Sequence, residues 1–235
     1  MATTSITANK QCVARSGNQT TWTAARNATV SATETCYTSS LDDTQAITEF
    51  VEIDSKGSTY AVNRTFLFFD LSGINGTITA IALKVYGVTN ASINVRPAKS
   101  TAFGGDGTAS YASTDFNNWS PSSPTPYTST AGQTWSINQF NTLNLNSTAR
   151  SDANTDGYLN LILLGSSNDY PDTTPFANID RKAGVRFRNT FTPLTLDITY
   201  TPSGYGNDIN GVASANIVSV NGVASANIAN INDVS

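Results

Sequence analysis

The feature that most constrains the fold of this chain is an alternation of apolar and polar residues with a period of two. In the clearest run, residues 194–200, Leu194, Leu196 and Ile198 alternate with polar side chains. Because successive side chains of a β-strand point to opposite faces, this pattern predicts a strand with one buried face. A helix would need apolar residues three and four positions apart, and such spacing is almost missing. The chain is therefore predicted to be all-β.

Short runs of the same kind recur along the chain and are separated by Gly, Asn, Ser and Pro. The most apolar run, 64–71, predicts a strand buried on both faces. Asn75-Gly76 then predicts a type I′ hairpin turn, whose two central residues need φ > 0, before a strand at 78–88. A strand at 92–96 is expected to stop at Pro97. Further strands are predicted at 28–37, 47–53, 143–145, 158–164 and 185–188. Eight or more strands with short turns indicate an antiparallel jelly-roll β-sandwich.

The chain divides into three predicted regions. Residues 1–27 form an N-terminal arm with a candidate first strand, and residues 28–201 form the sandwich. Residues 202–235 form a linker and a repeat arm. The repeat has eleven residues, INGVASANIVS over 209–219 and VNGVASANIAN over 220–230, and a third copy begins at residue 231. Near-identity over two copies is a strong repeat signal.

The repeat arm has three interpretations. An eleven-residue period suits a right-handed helical supercoil, but the Asn-Gly in each copy and the β-branched residues disfavour a continuous helix. A disordered tail is disfavoured by the regular Ile and Val spacing. Short β-segments that turn at each Asn-Gly fit best. Since so few copies cannot bury their own apolar groups, the arm needs its own domain, sister subunits or a particle surface to pack on. It is predicted to attach the protein or to hold a homo-oligomer such as a trimer. The predicted contact residues are Ile209, Val212, Ile217, Val220, Val223, Ile228 and Ile231.

Composition excludes several classes of function. The chain has no histidine, which removes the usual serine, cysteine and zinc hydrolases, and its net charge of -4 disfavours nucleic-acid binding. No apolar run is long enough to span a membrane, and the first residues lack a signal-peptide pattern, so we expect synthesis in a cytoplasm. Carboxylates are the only acid–base groups, and Glu49 and Glu52 would point to opposite faces of a strand. The chain is predicted not to be an enzyme.

Two kinds of binding site remain candidates. A structural calcium ion between loops would use Asp42, Asp43, Asp169 and Asp172, and no other cofactor is expected. A glycan platform in the long middle stretch would use four aromatic rings, Trp119, Tyr127, Tyr111 and Trp135. The alternative for these rings is that they fix the stretch to the sandwich.

The two cysteines leave their redox state open. Cys12 and Cys36 are too few for a disulfide scaffold. They would form one bridge in an oxidising medium or stay as two buried thiols.

The central sequence resembles a known family. RTFLFFDLS at 64–72 and ITAIALKVY at 78–86 are similar to the core of DNRLRE-type domains, and VRFR at 185–188 with PLTLDITY at 193–200 is similar to their closing strands. The resemblance implies a jelly-roll β-sandwich related to carbohydrate-binding modules, found on bacterial surface proteins and in phage genomes. The chain departs from the surface-protein form because a signal-peptide pattern and the usual Trp-rich middle segment are missing.

The repeat unit NGVASANI is in turn similar to terminal repeats of predicted structural proteins of tailed phages. The two resemblances imply a non-enzymatic virion protein, either a capsid decoration or head fibre or a tail-associated protein, that binds other virion proteins. It would be assembled in the host cytoplasm and become extracellular after lysis. Two alternatives stay open. One is a carbohydrate-binding adhesin module that contacts host or mucosal glycans, and the other is a self-assembling surface-layer or filament subunit.

Overall fold

Two antiparallel sheets pack face to face in the computed structural model and form a β-sandwich, which confirms the predicted fold class. The structure describes residues 1–30, 36–37, 51–56, 59–90, 93–118, 125–128, 133–176, 179–185, 194–203, 219–220 and 223–224.

Strands make up most of the regular structure. Their bounds are β1 Ala2–Thr7, β2 Lys10–Arg15, β3 Cys36–Tyr37, β4 Val51–Lys56, β5 Thr59–Asp70, β6 Gly76–Asn90, β7 Asn94–Lys99, β8 Gln133–Thr134, β9 Gln139–Asn144, β10 Tyr158–Gly165, β11 Ile179–Val185, β12 Thr195–Pro202, β13 Ser219–Val220 and β14 Val223–Ala224. The helices are α1 Trp22–Arg26, a 3₁₀ helix Ser113–Phe116 and α2 Ser147–Asp156.

The strand order is that of a jelly roll. The first sheet runs β1-β12-β6-β9, and the second runs β5-β10-β7-β8 with β2 and then β3 beyond β5. Numbered along the chain, the eight principal strands read 1-8-3-6 and 2-7-4-5, which is two Greek keys. β4 pairs with β5, and β11 pairs with both β4 and β6, so these two strands connect the sheets by hydrogen bonds.

The core lies between the sheets, and β5 is also covered on its outer side. Leu196 and Ile198 of β12 are buried, as the alternation predicts. On β5, Phe66, Leu67, Phe68 and Phe69 are all buried, which confirms the prediction for this strand. The outer cover is the irregular segment 100–118, which brings the ring of Tyr111 to 5.2 Å from that of Phe66. Residues 100–118 therefore pack as a layer on the second sheet.

Residues before position 28 also contribute strands to the two sheets. β1 lies at the edge of the first sheet against β12, and β2 extends the second sheet beside β5. The predicted strand 28–37 is described only in part: 28–30 is not strand, 36–37 is, and the rest lies outside the described residues.

Strand β7 continues through Pro97 to Lys99, where the sequence predicted an end. In an antiparallel strand, the N–H and C=O of one residue point to the same side. The carbonyl of Pro97 accepts a hydrogen bond from Tyr127, so the missing N–H also faces that segment and not β10. Proline therefore removes no hydrogen bond from the β7–β10 pairing.

The predicted type I′ turn at Asn75-Gly76 is wrong. Asn75 does not have a positive φ, and the chain turns earlier, where the N–H of Ile74 donates to the carbonyl of Leu71. Gly76 has a different role, because a Cβ there would lie 2.2 Å from the carbonyl oxygen of Thr201. The glycine permits close approach of β6 and β12.

Helix α2 is not predicted by the sequence pattern. It begins after Asn146, whose side chain accepts from the N–H of Ala149, and it ends at Gly157 in the left-handed conformation. Its buried side chains are Ala149 and Ala153, one turn apart. Such a small apolar face gives little periodic signal. Across the part of the chain that the structure describes, no helix is long and apolar enough to cross a membrane.

Cys12 forms a disulfide bond. The chain has one other cysteine, Cys36, and it lies opposite Cys12 in the pairing of β2 with β3. The bond therefore joins β2 to β3, which resolves the alternative left open by the sequence.

Reduction of this disulfide should destabilise the protein. Closing a loop of about 25 residues is expected to contribute about 3 kcal/mol to the free energy of unfolding. Urea unfolding with and without dithiothreitol measures the difference. The double variant Cys12→Ser/Cys36→Ser should match the reduced protein and ignore the reductant, and an unchanged midpoint on reduction would contradict the prediction.

Candidate functional site

A buried ion pair lies on the outer side of β5. The guanidinium of Arg64 donates from Nε to Oδ2 of Asp169 at 2.8 Å and from Nη2 to Oδ1 at 2.6 Å. Its Nη1 donates to the backbone carbonyl of Phe116 at 2.6 Å. The Cζ atom of the guanidinium also lies 4.4 Å from the centroid of the Phe116 ring. Both charged side chains are almost fully buried. The two parallel hydrogen bonds compensate the loss of water from both charges.

A second arginine extends this pair into a network. Nε of Arg26 donates to the backbone carbonyl of Asp169 at 2.9 Å, and its Nη1 lies 3.3 Å from Oδ2 of Asp172. The indole N–H of Trp22 donates to the other oxygen of Asp172 at 3.0 Å. Burial lowers the pKa of Arg26, and the charges of Asp169 and Asp172 oppose that shift. The network therefore ties α1, β5 and the loop after β10 together.

Of the four predicted calcium ligands, the structure describes two. Asp169 and Asp172 come together, but two guanidinium groups already supply the positive charge beside them. Asp42 and Asp43 lie outside the described residues. Within the described ranges, no group of three or more acidic or cysteine side chains could hold a metal ion. The calcium site stays a prediction.

Three of the four rings predicted to form an exposed glycan platform are buried in the protein. Tyr111, Tyr127 and Trp135 are buried, with at most 6% of each side chain exposed, so they have no free face for a sugar. This corrects the platform interpretation for these three rings and favours the alternative that they fix the middle stretch to the sandwich. Trp119 lies outside the described residues.

The repeat arm is described at one point. β13 and β14 pair with each other as a separate two-stranded sheet, with Val220 opposite Val223. The Asn-Gly of the second repeat copy lies between these strands in the sequence, as predicted for short β-segments. Val223 is about half exposed. The other predicted contact residues, Ile209, Val212, Ile217, Ile228 and Ile231, lie outside the described residues.

A small pocket of about 100 Å³ opens where β7 ends and β10 begins, beside the C-terminal half of α2. It is a second candidate site that the sequence pattern did not indicate. Its lining includes Lys99, Thr101, Asp152, Asp156, Tyr158 and Asn160.

The carboxylate of Asp152 is held in this pocket by two donors. Nζ of Lys99 lies 2.9 Å from its Oδ2, and the hydroxyl of Tyr127 donates to the same oxygen at 2.8 Å. Burial and then the hydrogen bond to Asp152 raise the pKa of Tyr127 far above its usual value. Tyr127 therefore stays protonated and anchors the carboxylate from the protein interior.

Comparisons with known proteins assign no function to either candidate site. No protein-family model matches the chain, and a search of curated proteins finds no significant relative.

Some residues of the buried network carried a signal in the sequence. Arg64 stands at the start of the most apolar run, where a charged side chain must be buried with a partner. That signal indicates an acidic partner without naming it, because Asp169 follows 105 residues later. The pocket residues Asp152 and Asp156 lie on α2, so they could not be placed before that helix was known.

Replacing Arg64 should destabilise the fold strongly. Arg64→Met leaves Asp169 buried with less compensation, and breaking such a pair is expected to cost about 3–5 kcal/mol. The matched control is Lys84→Met, because Lys84 pairs with Asp197 on the protein surface and should cost about 1 kcal/mol or less. Urea unfolding measures both. Equal costs for the two variants would contradict the assignment.

Alkaline pH should separate the buried tyrosines from the others. Burial raises the pKa of Tyr111, as it does that of Tyr127. In the unfolded chain, both tyrosines ionise near a pKa of about 10. The stability that they contribute is therefore present below about pH 10 and is lost as the pH rises above it. In a titration followed at 295 nm, we expect at least two of the nine tyrosines to ionise only as the fold is lost. Tyr127→Phe should reduce this delayed amplitude by one residue. Ionisation of all nine at the usual pH in folded protein would contradict the prediction.

Proposed function

We propose that this protein is a non-enzymatic structural protein of a phage virion. It displays the sandwich on the capsid or tail, and it attaches or oligomerises through the C-terminal repeat. The observation that carries the proposal is the pairing of β13 with β14 inside the repeat, in a sheet separate from those of the sandwich.

The isolation of this hairpin supports an attachment role. A two-stranded hairpin on its own is at best marginally stable in water, and among the described strands β13 and β14 pair only with each other. Val223 exposes about half of its surface. Packing of successive hairpins against sister chains or a particle surface would bury these valines and the Ile residues spaced between them. That is the physical basis for oligomerisation.

The first sheet supports a display role. Its edge strand β1 exposes Thr3, Ser5 and Thr7 in alternation, and its other side faces the core. Neutral polar side chains of this kind keep an exposed sheet soluble without a strong field of either sign. The disulfide between Cys12 and Cys36 also suits a protein that works outside a reducing cytoplasm.

The attachment role predicts that the arm governs assembly. Introducing a charge with Val223→Asp should prevent burial of the repeat and lower the oligomer mass found by size-exclusion chromatography with light scattering. Ser219→Asp is the matched control, because Ser219 is exposed on the opposite strand of the same hairpin.

A truncation gives the second measurement. Removing residues 204–235 should leave a folded sandwich by circular dichroism that is monomeric and no longer co-sediments with purified virions. The proposal is wrong if the truncated protein still assembles and joins particles as the full chain does.

A further inference from the structure

We propose that the pocket between the end of β7, the start of β10 and α2 binds one pyranose residue of a glycan by the edge of its ring. This site differs from the aromatic platform predicted from the sequence, with which it shares the buried Tyr127. The inference does not rest on the virion assignment, because a sugar site would serve an adhesin equally.

The lining offers the groups that a sugar hydroxyl needs. Asp156 is exposed, and no hydrogen bond within the described residues occupies its carboxylate. The hydroxyl of Tyr158 is likewise without a described partner. Lys99 has three N–H donors and shares one contact with Asp152. Neighbouring hydroxyls of a pyranose donate to carboxylates and accept from ammonium and phenol groups, so both kinds of partner are present.

The pocket also has an aromatic wall. The ring of Tyr158 is half-buried, with its centroid 5.4 Å from that of Phe68 at an angle of 32°. This neighbour limits the movement of the ring and leaves part of it exposed beside the carboxylates. A partly exposed ring next to polar groups matches a sugar, whose C–H faces and hydroxyl edges require both.

Charge and size disfavour an anion, a metal cation or a longer segment of chain as the ligand. Two carboxylates against one lysine give the lining a net negative charge, which disfavours a phosphate or other anion. The ammonium of Lys99, at 2.9 Å from Asp152, occupies the place a metal cation would need. A volume of about 100 Å³ suits the edge of a single ring and not a longer segment of chain.

Buried side chains hold the lining in place. Asn160 is 4% exposed, and its Nδ2 donates to the carbonyls of Ala102 and Gly105 in the loop that forms one wall. Its Oδ1 is buried and accepts no hydrogen bond from the described residues. On the opposite side, Tyr127 fixes Asp152. A site with positioned groups needs little ordering when a ligand binds.

Binding of simple sugars tests the proposal. The probes are the methyl pyranosides of glucose, galactose, mannose and N-acetylglucosamine, each titrated into the full chain and followed by NMR chemical shifts. We expect at least one to bind with a Kd of about 1–10 mM, as befits one ring with few contacts. The amide resonances of Thr101 and Tyr158 should shift on binding.

Two variants locate the site. Asp156→Asn should weaken binding about tenfold, since a hydrogen bond to a charged group is lost, and Tyr158→Phe should weaken it about threefold. The matched control is Asp197→Asn, which alters the Lys84–Asp197 pair on the other sheet and should leave Kd unchanged. The proposal is overturned if no pyranoside gives a saturable shift at about 50 mM, well above the expected Kd. It is also overturned if a sugar binds equally well to the wild type and to Asp156→Asn.

Discussion

The buried pair of Arg64 and Asp169 is the interaction on which the arrangement of the second sheet depends. A charge on the outer side of β5 could not be covered unless a partner of opposite sign were covered with it. Asp169 supplies that partner and brings the loop after β10 onto the strand. The carbonyl of Phe116 takes a further N–H, which fixes the 3₁₀ helix in the same layer. One guanidinium thus joins two irregular segments to each other and to the sheet.

The two sheets consequently have different outer sides. The second sheet is covered by the segment 100–118 and by the loop after β10, so residues 61–69 of β5 are buried on both faces. The first sheet keeps an alternating strand at its edge, with Thr3 and Ser5 exposed. The sugar pocket lies at the margin of the covered sheet, where α2 meets the end of β7. A covering layer with irregular backbone provides such a margin, whereas a bare sheet face is too flat to enclose a ring.

The sequence predicted what depends on neighbouring residues and missed what depends on distant ones. Alternation at 194–200 and the apolar run at 64–71 were sufficient for β12 and β5, because strand periodicity is local. The jelly-roll order followed from strand number and turn length.

The partner of Arg64 could not be predicted, since it lies 105 residues away. The aromatic residues of the middle stretch were ambiguous for the same reason: Tyr127 is a platform or an anchor depending on what covers it, and the structure buries it. Helix α2 was missed because alanines at 149 and 153 form too small a face to register as a period.

The same distinction between local and distant contacts explains the repeat arm. Pairing of Val220 with Val223 is a local event that the chain achieves by itself across Asn-Gly. Burial of the exposed side of that hairpin requires a surface that its described residues do not provide by themselves. An eleven-residue repeat places equivalent valines and isoleucines at equal intervals, so successive hairpins would present the same apolar pattern to one partner. An apolar patch can pair with the same patch on a second copy across a rotation axis, so sister copies are one partner that fits the proposed attachment role. The proposed display role rests on this difference, because the core of the sandwich is buried by its own contacts while Val223 of the hairpin is about half exposed.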